Sequence, residues 1–316
     1  EHRLKETRTS TAAPLPGKSL VIYDPRHRAI SDFIPIEDAY SQELSRLDEV
    51  IQTLEAKQLW LADRNFSTVK FLYSIAAKNA AFVIRQHGRL RGTEQGKLRK
   101  IAESETGIIY EHKLRLPEYE GQQITVRRVV VHLFAETRNK DVEVILLTNL
   151  PRDEADALVV SELYRKRWKI ETAFGHLKTA MKCEIKPLCY PKASLFCFAC
   201  ALVAYNSFAI TKGAVAAVHG RHESEMLSHY YLAIEVAEAT DGMLVVLPSD
   251  RWSEMESIDQ GDFAAEVSRI VSGMDLKRYR KSIRGPKKKP PKRTNKHKSV
   301  HVSTKRILDK REKNGP

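Results

Sequence analysis

The stretch VVSELYRKRWKIETAFGHLKTAM, from Val159 to Met181, decides how the rest of the chain is interpreted. Taken as one helix, it places apolar residues on one face, at steps of seven, four, three and four: Leu163, Ile170, Phe174, Leu177 and Met181. Four polar residues fall within about 60° of one another beside that face: Tyr164, Arg167, Glu171 and Lys178. This placement suits a cleft, although i,i+4 charge pairs such as Arg167 and Glu171 also occur on ordinary amphipathic helices.

Two motifs in the chain resemble those of one enzyme family. The spacing Tyr-x2-Arg-x3-Glu-x6-Lys, with Trp168 directly after the arginine, resembles the YREK signature of insertion-sequence transposases of the DDE class. The segment ADRNFS, residues 62–67, resembles the part of the same family that carries its second aspartate, and it comes in the right order. The resemblance implies a ribonuclease-H-like α/β core, a mixed sheet flanked by helices, that cuts and rejoins DNA with divalent metal ions.

The resemblance also implies roles for individual residues. Asp63 and Glu171 would be catalytic metal ligands for Mg²⁺ or Mn²⁺, because carboxylates are the oxygen ligands that such ions prefer. The DNA-binding residues would be Tyr164, Arg167, Lys178 and Trp168, although Trp168 could equally pack inside the protein. Asp63 also follows a short apolar strand, and active sites of open α/β sheets collect at such strand ends. A lone aspartate there is otherwise typical of a helix cap.

One carboxylate of the family pattern has no counterpart in the sequence. The family carries a first aspartate on its opening strand, in an Asp-Gly context that this sequence lacks, and the strand SLVIYD, residues 19–24, matches the family's second strand instead. Since the first methionine is Met181, we expect that the chain is truncated at its N-terminus and that this aspartate lies upstream of Glu1. Three residues in predicted turn or cap positions remain as substitutes: Asp24, Asp32 and Asp38.

The charge of the chain is concentrated at one end. The 316 residues are 42% hydrophobic, enough for one substantial core and a smaller module, and the net charge is +13. From Lys277 onward there are seventeen Lys and Arg against two acids, a local charge of +15, so the remainder carries −2. A basic segment on a nearly neutral body indicates a polyanionic partner, and double-stranded DNA is the one we expect.

Cysteine usage and hydropathy bear on location. Four cysteines follow the key stretch: Cys183, Cys189, Cys197 and Cys200. We interpret them as buried thiols in preference to a zinc or redox site, and we expect a reducing compartment. The apolar run that contains Cys197 also contains Asn206, which favours a core helix over a membrane span. We therefore predict a cytoplasmic, nucleoid-associated protein without a membrane partner.

The sequence predicts five segments. They are a first part of the ribonuclease-H-like core (1–90), a β-rich insertion (91–148), the second core part with the key helix (149–213), a helical region (214–275) and a basic tail without fixed structure (276–316). Within the insertion, the pair Arg127-Arg128 could contact DNA or simply belong to a sheet edge.

The resulting hypothesis is a DNA transposase. It would cleave transposon ends with a metal ion, transfer the strand into target DNA, and self-associate when two ends are brought together. Two alternatives remain open. One is a catalytically inactive DNA-binding remnant or domesticated accessory protein of the same fold, and the other is a structure-specific nuclease without joining activity.

Overall fold

The computed structural model describes residues 12–137, 140–179, 190–246, 248, 258–282, 285 and 300–314. Contacts divide the chain into two compact units. We call them the hairpin unit, Glu1–Ser41 with Ile170–Pro316, and the sheet unit, Gln42–Lys169. The predicted division at residues 90, 148, 213 and 275 follows the family resemblance and stays a prediction.

The strands, in chain order, are β1 (Ala12–Leu15), β2 (Lys18–Asp24), β3 (Ala29–Ile36), β4 (Leu59–Ala62), β5 (Ala81–Arg85), β6 (Thr93–Ser104), β7 (Gly107–Arg115), β8 (Thr125–Leu133), β9 (Glu143–Thr148) and β10 (Val300–Ser303). The α-helices are α1 (Leu47–Gln52), α2 (Val69–Ala77), α3 (Ala157–Lys166), α4 (Lys169–Thr179), α5 (Pro191–His219), α6 (Arg221–Met226), α7 (His229–Val246), α8 (Gln260–Ser272) and α9 (Thr304–Asn314).

The sheet unit is built on one six-stranded sheet, in the order β4-β5-β9-β8-β7-β6. β4 and β5 run parallel, and every other neighbouring pair is antiparallel. A parallel pair needs a crossover connection, and α2 supplies it. Its residues Phe71, Leu72 and Ile75 are buried, at the spacing of one helical face.

The core of the sheet unit lies between the sheet and α3. Val83, Ile109, Val129 and Leu146 come from four adjacent strands and pack with Val160 of α3. β-branched and aliphatic residues of this kind suit a covered sheet face. The predicted fold class, a mixed α/β sheet flanked by helices, is confirmed. The strands predicted as an insertion, β6 to β9, continue the sheet that β4 and β5 begin.

The hairpin unit is organised around α5. β2 and β3 form an antiparallel hairpin. The side-chain amide of Asn206 bonds both the backbone N–H and the C=O of Ile30, each at 2.8 Å. Leu202 and Tyr205 of α5 and Leu177 of α4 pack with Ile30 in a buried cluster. The amide thus joins the helix to β3 where the strand would otherwise leave two polar groups unpaired.

Among the residues that the structure describes, α5 is the one helix long and apolar enough to cross a membrane. In its most apolar window 22% of the residues are buried. Two polar side chains on this helix point into protein contacts: Asn206 bonds Ile30, and the amine of Lys212, which is 4% exposed, donates to the Leu227 carbonyl at 3.3 Å. These contacts join α5 to β3 and to Leu227, while most of its apolar window is exposed, so the choice of a core helix over a membrane span stays a prediction.

The basic C-terminal segment contains ordered elements, which differs from the prediction of a tail without fixed structure. Leu276–Tyr279 forms a 3-10 helix whose Tyr279 is buried, and β10 pairs in parallel with β1. α9 follows directly. Much of the stretch between the 3-10 helix and β10, including residues 286–299, lies outside the described residues. Composition alone did not predict β10, because its partner strand β1 is near the other end of the chain.

The stretch predicted as one helix forms two, α3 and α4. The N–H of Arg167 donates to the Tyr164 carbonyl at 3.0 Å and that of Trp168 to the Arg165 carbonyl at 3.3 Å, so the chain tightens into 3-10 turns after α3. The boundary between the units follows, after Lys169. The predicted single stripe is therefore corrected to two pairs, Tyr164 and Arg167 in the sheet unit, and Glu171 and Lys178 in the hairpin unit.

Candidate active site

Asp63 directly follows β4 and has an extended backbone. Its Oδ1 accepts a hydrogen bond from the N–H of Asn65 at 2.8 Å, which caps the short 3-10 helix Arg64–Phe66. Within the described part of the chain, no hydrogen bond reaches Oδ2, and the side chain is half-buried. The cap and the ligand interpretations are therefore compatible, because one oxygen caps the helix and the other is available for a cation.

A pocket of about 340 Å³ lies at the end of β5 and the start of β9, and Arg64, the residue after Asp63, is part of its lining. Six charged or ionisable residues line it: Arg64, Arg85, His87, Lys140, Asp141 and Glu143. Arg85 contacts Asp141 at 3.0 Å, and this bond lowers the pKa of the Asp141 carboxyl. Sequence reasoning missed both residues. The signal was present, since Arg85 ends a strand parallel to β4 and parallel neighbours end at the same sheet edge.

Tyr164 completes this part of the site from the last turn of α3. Burial raises the pKa of its hydroxyl, Arg167 and Arg85 lower it, and Asp63 raises it. These groups thus act on one another from the ends of β4, β5 and α3. Since the net shift is upward, the hydroxyl is protonated at neutral pH and is able to donate a hydrogen bond.

A second cleft, of about 350 Å³, lies between α3 and the sheet. Arg167 and Trp168 line it together with Tyr164, and the Arg167 guanidinium lies 5.7 Å from the centre of the Tyr164 ring. Its apolar lining comes from β8 and β9: Val131, Leu133, Val144 and Leu146. Trp168 is 61% exposed, so its ring does not pack in the core of the sheet unit, and its role at DNA stays a prediction.

Glu171 and Lys178 belong to the hairpin unit, on α4. Glu171 lies in the first turn of this helix and is exposed. A carboxylate there is favoured by the positive end of the helix dipole. Lys178 lies in the last turn, and its side chain is outside the described residues. Ala173 and Leu177 on the same helix are buried, and they fix α4 in its cluster.

The three aspartates considered as substitute ligands all have local hydrogen bonds. Asp24 accepts from the N–H of Arg26 at 2.7 Å in the hairpin turn, and Asp38 accepts from the hydroxyl of Ser303 at 2.7 Å. Asp32 accepts from the N–H of Phe33 at 2.7 Å and lies inside β3, where a turn or cap position was predicted. In the parts of the chain described, no group of three or more His, Cys, Asp or Glu could hold a metal ion.

The arginine pair in β8 is occupied by protein contacts. Arg127 binds both carboxylate oxygens of Glu111, at 3.1 and 2.8 Å, and also donates to backbone carbonyls near α3. Arg128 donates to Gln86 at 2.8 Å and lies 2.9 Å from the His112 ring. Both side chains therefore have structural roles within the sheet, but the predicted sheet edge is wrong, since β8 lies between β9 and β7.

The cysteines differ from their prediction in one respect. Cys197 is half-buried and Cys200 is exposed, both as free thiols, so the expectation of a buried thiol is wrong for Cys200. The two thiols are three residues apart on α5 and lie about 60° apart around the helix axis. Cys183 and Cys189 lie outside the described residues.

The donor set around Asp63 suits a hard divalent cation. Mg²⁺ takes oxygen ligands, and the available Oδ2 of Asp63 offers one at a half-exposed strand end. Among the described residues, the pocket that Arg64 helps to line contains no thiol, and its one imidazole is that of His87. Thiols and imidazoles are the ligands that softer metals prefer. Asp63 therefore fits the ion that the family resemblance implies.

The match to known proteins covers both units. The family model described as Transposase DDE domain matches residues 17–206, and the chain belongs to this family. Two relatives from Escherichia coli are similar to it: the putative transposase InsL for insertion sequence element IS186A, from strain K12, and the transposase for insertion sequence element IS421. Each is 29% identical over 193 residues, which cover 50% of this chain and 51% of the relative. The matched region thus spans about half the length of these relatives.

Proposed function

We propose that the chain is part of a DNA transposase that cleaves transposon ends and transfers the freed strand into target DNA. The observation that carries the proposal is the position of Asp63, at the carboxyl end of β4 with one oxygen available, in a chain of the DDE family. Glu171, exposed in the first turn of α4, is the second carboxylate. The YREK assignment of Tyr164, Arg167, Glu171 and Lys178 is part of the proposal.

Asp63 and Glu171 would hold the ion, Mg²⁺ or Mn²⁺. When bound, divalent ions activate the attacking oxygen and stabilise the leaving oxygen of the phosphodiester. The chain's own contribution at Asp63 is orientation, because the bond from the Asn65 N–H fixes one carboxylate oxygen and turns the other outward. Arg64 and Arg85 are cations at this sheet edge that would contact a DNA phosphate.

Three residues of the sheet unit would bind DNA beside Asp63. Arg167 offers a planar fork to a phosphate, Tyr164 offers a protonated hydroxyl, and the exposed ring of Trp168 offers a stacking surface. Lys178 would add a point charge from α4. Their closeness to the second cleft supports this assignment for the first three.

The partner we propose is double-stranded DNA, as transposon ends and as target. Self-association would follow from the need to hold two ends together, and the protein would act in the cytoplasm, at the nucleoid. The seventeen Lys and Arg from Lys277 onward support a DNA partner, since each neutralised phosphate releases counterions.

The decisive experiment measures nicking of supercoiled DNA by the whole chain in Mg²⁺ and in Mn²⁺. We expect Asp63→Asn and Glu171→Gln each to reduce nicking to background, because each removes a hard ligand. Asp153→Asn and Glu162→Gln remove exposed acids of the sheet unit and should leave nicking unchanged. Mn²⁺-induced broadening of NMR signals near residue 63 gives a second readout that is independent of activity.

The outcomes separate the alternatives. DNA binding without metal-dependent nicking, both by the unaltered chain and by a version extended upstream to include the expected first aspartate, would favour the inactive DNA-binding protein. Nicking that survives Asp63→Asn would contradict the assignment of the site. Nicking without strand joining, when the chain is given a pre-cut end, would favour a nuclease.

A further inference from the structure

A second cluster of ionisable groups lies in the hairpin unit, away from the carboxylates of the proposed metal site. His176 of α4 and His229 of α7 stack, with ring centres 4.2 Å apart and planes 26° from parallel. The ring of Tyr205, on α5, lies 5.9 Å from that of His229 and is almost parallel to it. Three helices therefore bring their polar aromatic side chains to one place.

Lys212 of α5 places an amine beside these rings. The residue is 4% exposed, and its amine donates to the Leu227 carbonyl at 3.3 Å. Burial, together with the positive charges of Lys281 and Arg28, lowers the pKa of Lys212 to about 7. A buried amine with one weak carbonyl contact is costly to keep charged, unless an anion accompanies it.

The two histidines are short of hydrogen bonds. In both rings Nδ1 is buried, and neither Nδ1 has a hydrogen-bond partner among the residues described. Burial, together with the nearby Lys212 and His176, lowers the pKa of His229 to about 3. Unsatisfied buried nitrogens are rare in folded proteins and call for a ligand or another functional reason.

The rim of the cluster is formed by Arg28 and Lys281. Arg28 lies at the end of the β2–β3 turn with φ 58°, a left-handed conformation that non-glycine residues rarely adopt. It contacts Glu225 at 3.0 Å, and the Lys281 amine donates to the Glu225 carbonyl at 2.6 Å. Asp24, the acid within this turn, is bound by His27.

The charges of the cluster do not balance. Arg28, Lys212 and Lys281 are three basic groups that act on one another, and Glu225 is the acid that acts on both lysines. A divalent cation would be repelled here, and a neutral molecule would leave the surplus charge in place. An oxyanion would accept hydrogen bonds from the amines and compensate the charge at once.

We propose that Arg28, Lys212 and Lys281, with the stacked His176 and His229, form a binding site for a phosphate oxyanion. The site is separate from the YREK residues. The oxyanion would sit between the two rim cations, with the Lys212 amine behind it. The phosphate chemistry is common to two sources, a DNA backbone and free inorganic phosphate. Only the DNA source rests on the proposed function.

The first test titrates the whole chain with inorganic phosphate and follows the binding by calorimetry and by the ring signals of the histidines. We expect Lys281→Gln and Arg28→Gln each to raise the Kd for phosphate at least about tenfold, since each removes a charged hydrogen bond. Lys277→Gln, an exposed lysine near Lys281 in sequence, is the matched control and should bind phosphate normally.

Lys212→Met removes the buried amine and keeps its volume. It should abolish phosphate binding without lowering the thermal unfolding midpoint of the free protein, because the charge that burial disfavours is gone. If Lys212→Met does not fold, the variants Arg28→Gln and Lys281→Gln still test the proposal. Phosphate binding that all three variants retain, or its absence in the unaltered chain, would overturn the proposal.

The second test repeats the phosphate titration with saturating short duplex DNA. Loss of phosphate binding in its presence assigns the site to a backbone phosphate, and undiminished binding assigns it to the free anion. Neither result depends on nicking. Phosphate binding here without DNA cleavage, by this chain and by a version extended upstream to include the first aspartate, would refute the proposed function and leave this site intact.

Discussion

At the scale of single residues, neighbours in sequence have different roles. Arg127 is 9% exposed and holds Glu111 with a two-pronged ion pair, while it also binds carbonyls at the start of α3. Arg128, the next residue, faces the other side of β8 and bonds Gln86. Alternation along a strand separates the two side chains. Arg127 thus ties β7, β8 and the approach to α3 together.

Replacement of Arg127 should destabilise the sheet unit strongly. In Arg127→Met the carboxylate of Glu111, 11% exposed, loses its counter-charge, and we expect the free energy of unfolding to fall by about 3–5 kcal/mol. Urea denaturation followed by tryptophan fluorescence measures this. The double variant Arg127→Met with Glu111→Leu should recover most of the loss. A single variant as stable as the unaltered chain would show that the pair contributes nothing.

At the scale of elements, Asp38 holds the C-terminal segment in place. It accepts hydrogen bonds from Ser303 of β10 at 2.7 Å and from Arg306 of α9 at 2.8 Å. The Arg306 guanidinium also lies 5.1 Å from the centre of the Tyr40 ring. Together with the β1–β10 pairing, these contacts anchor basic residues that their composition alone would leave in solvent.

The anchoring at Asp38 should depend on pH. Burial would raise the pKa of Asp38, but bonds from Ser303, the Tyr40 N–H and Arg306 outweigh it and lower the pKa. A carboxyl with a lowered pKa stabilises the fold above its unfolded pKa, and the effect is lost as pH falls through the folded value. Hydrogen-exchange protection of residues 300–314 should therefore be full near pH 6 and drop below about pH 4.

Two variants check this explanation. Asp38→Asn should lower the protection of residues 300–314 already at pH 6 and remove its acid dependence. Glu312→Gln, on the exposed side of α9, should behave like the unaltered chain. Acid-dependent loss of protection that persists in Asp38→Asn would point to a different group.

At the scale of the whole molecule, the chain leaves the hairpin unit after Ser41, builds the sheet unit, and returns at Ile170. The sheet unit has its own six-stranded sheet and its own buried cluster between the sheet and α3. A contiguous segment with a separate core is able to fold alone.

We expect residues 42–169 to fold as an isolated protein. Circular dichroism should show a β-rich spectrum, and urea should unfold the protein in one cooperative transition, since the six strands share one core. Arg127→Met introduced into the isolated segment serves as a control and should destabilise it as it does the whole chain. A gradual, non-cooperative transition in the unaltered segment would contradict independent folding.

The sequence by itself determined the features that depend on local pattern. The apolar run before Asp63 set a strand end, the spacing from Tyr164 to Lys178 indicated the family that the domain match confirms, and the count of basic residues located the charge. These follow from neighbours along the chain, where the periods of helix and strand apply. The break after α3 escaped this reasoning because the residues there keep a helical pattern.

Only the tertiary structure decided which distant residues meet. It brought Arg85 and Asp141 together in one ion pair, paired Arg127 with Glu111, and joined Asp38 to a segment more than two hundred residues away. It also collected His176, Lys212 and His229 from three helices. The spacing of residues along the chain does not predict these long-range contacts. Strand order and helix packing are determined by burial of the whole core, and all core residues contribute to the free energy of that burial.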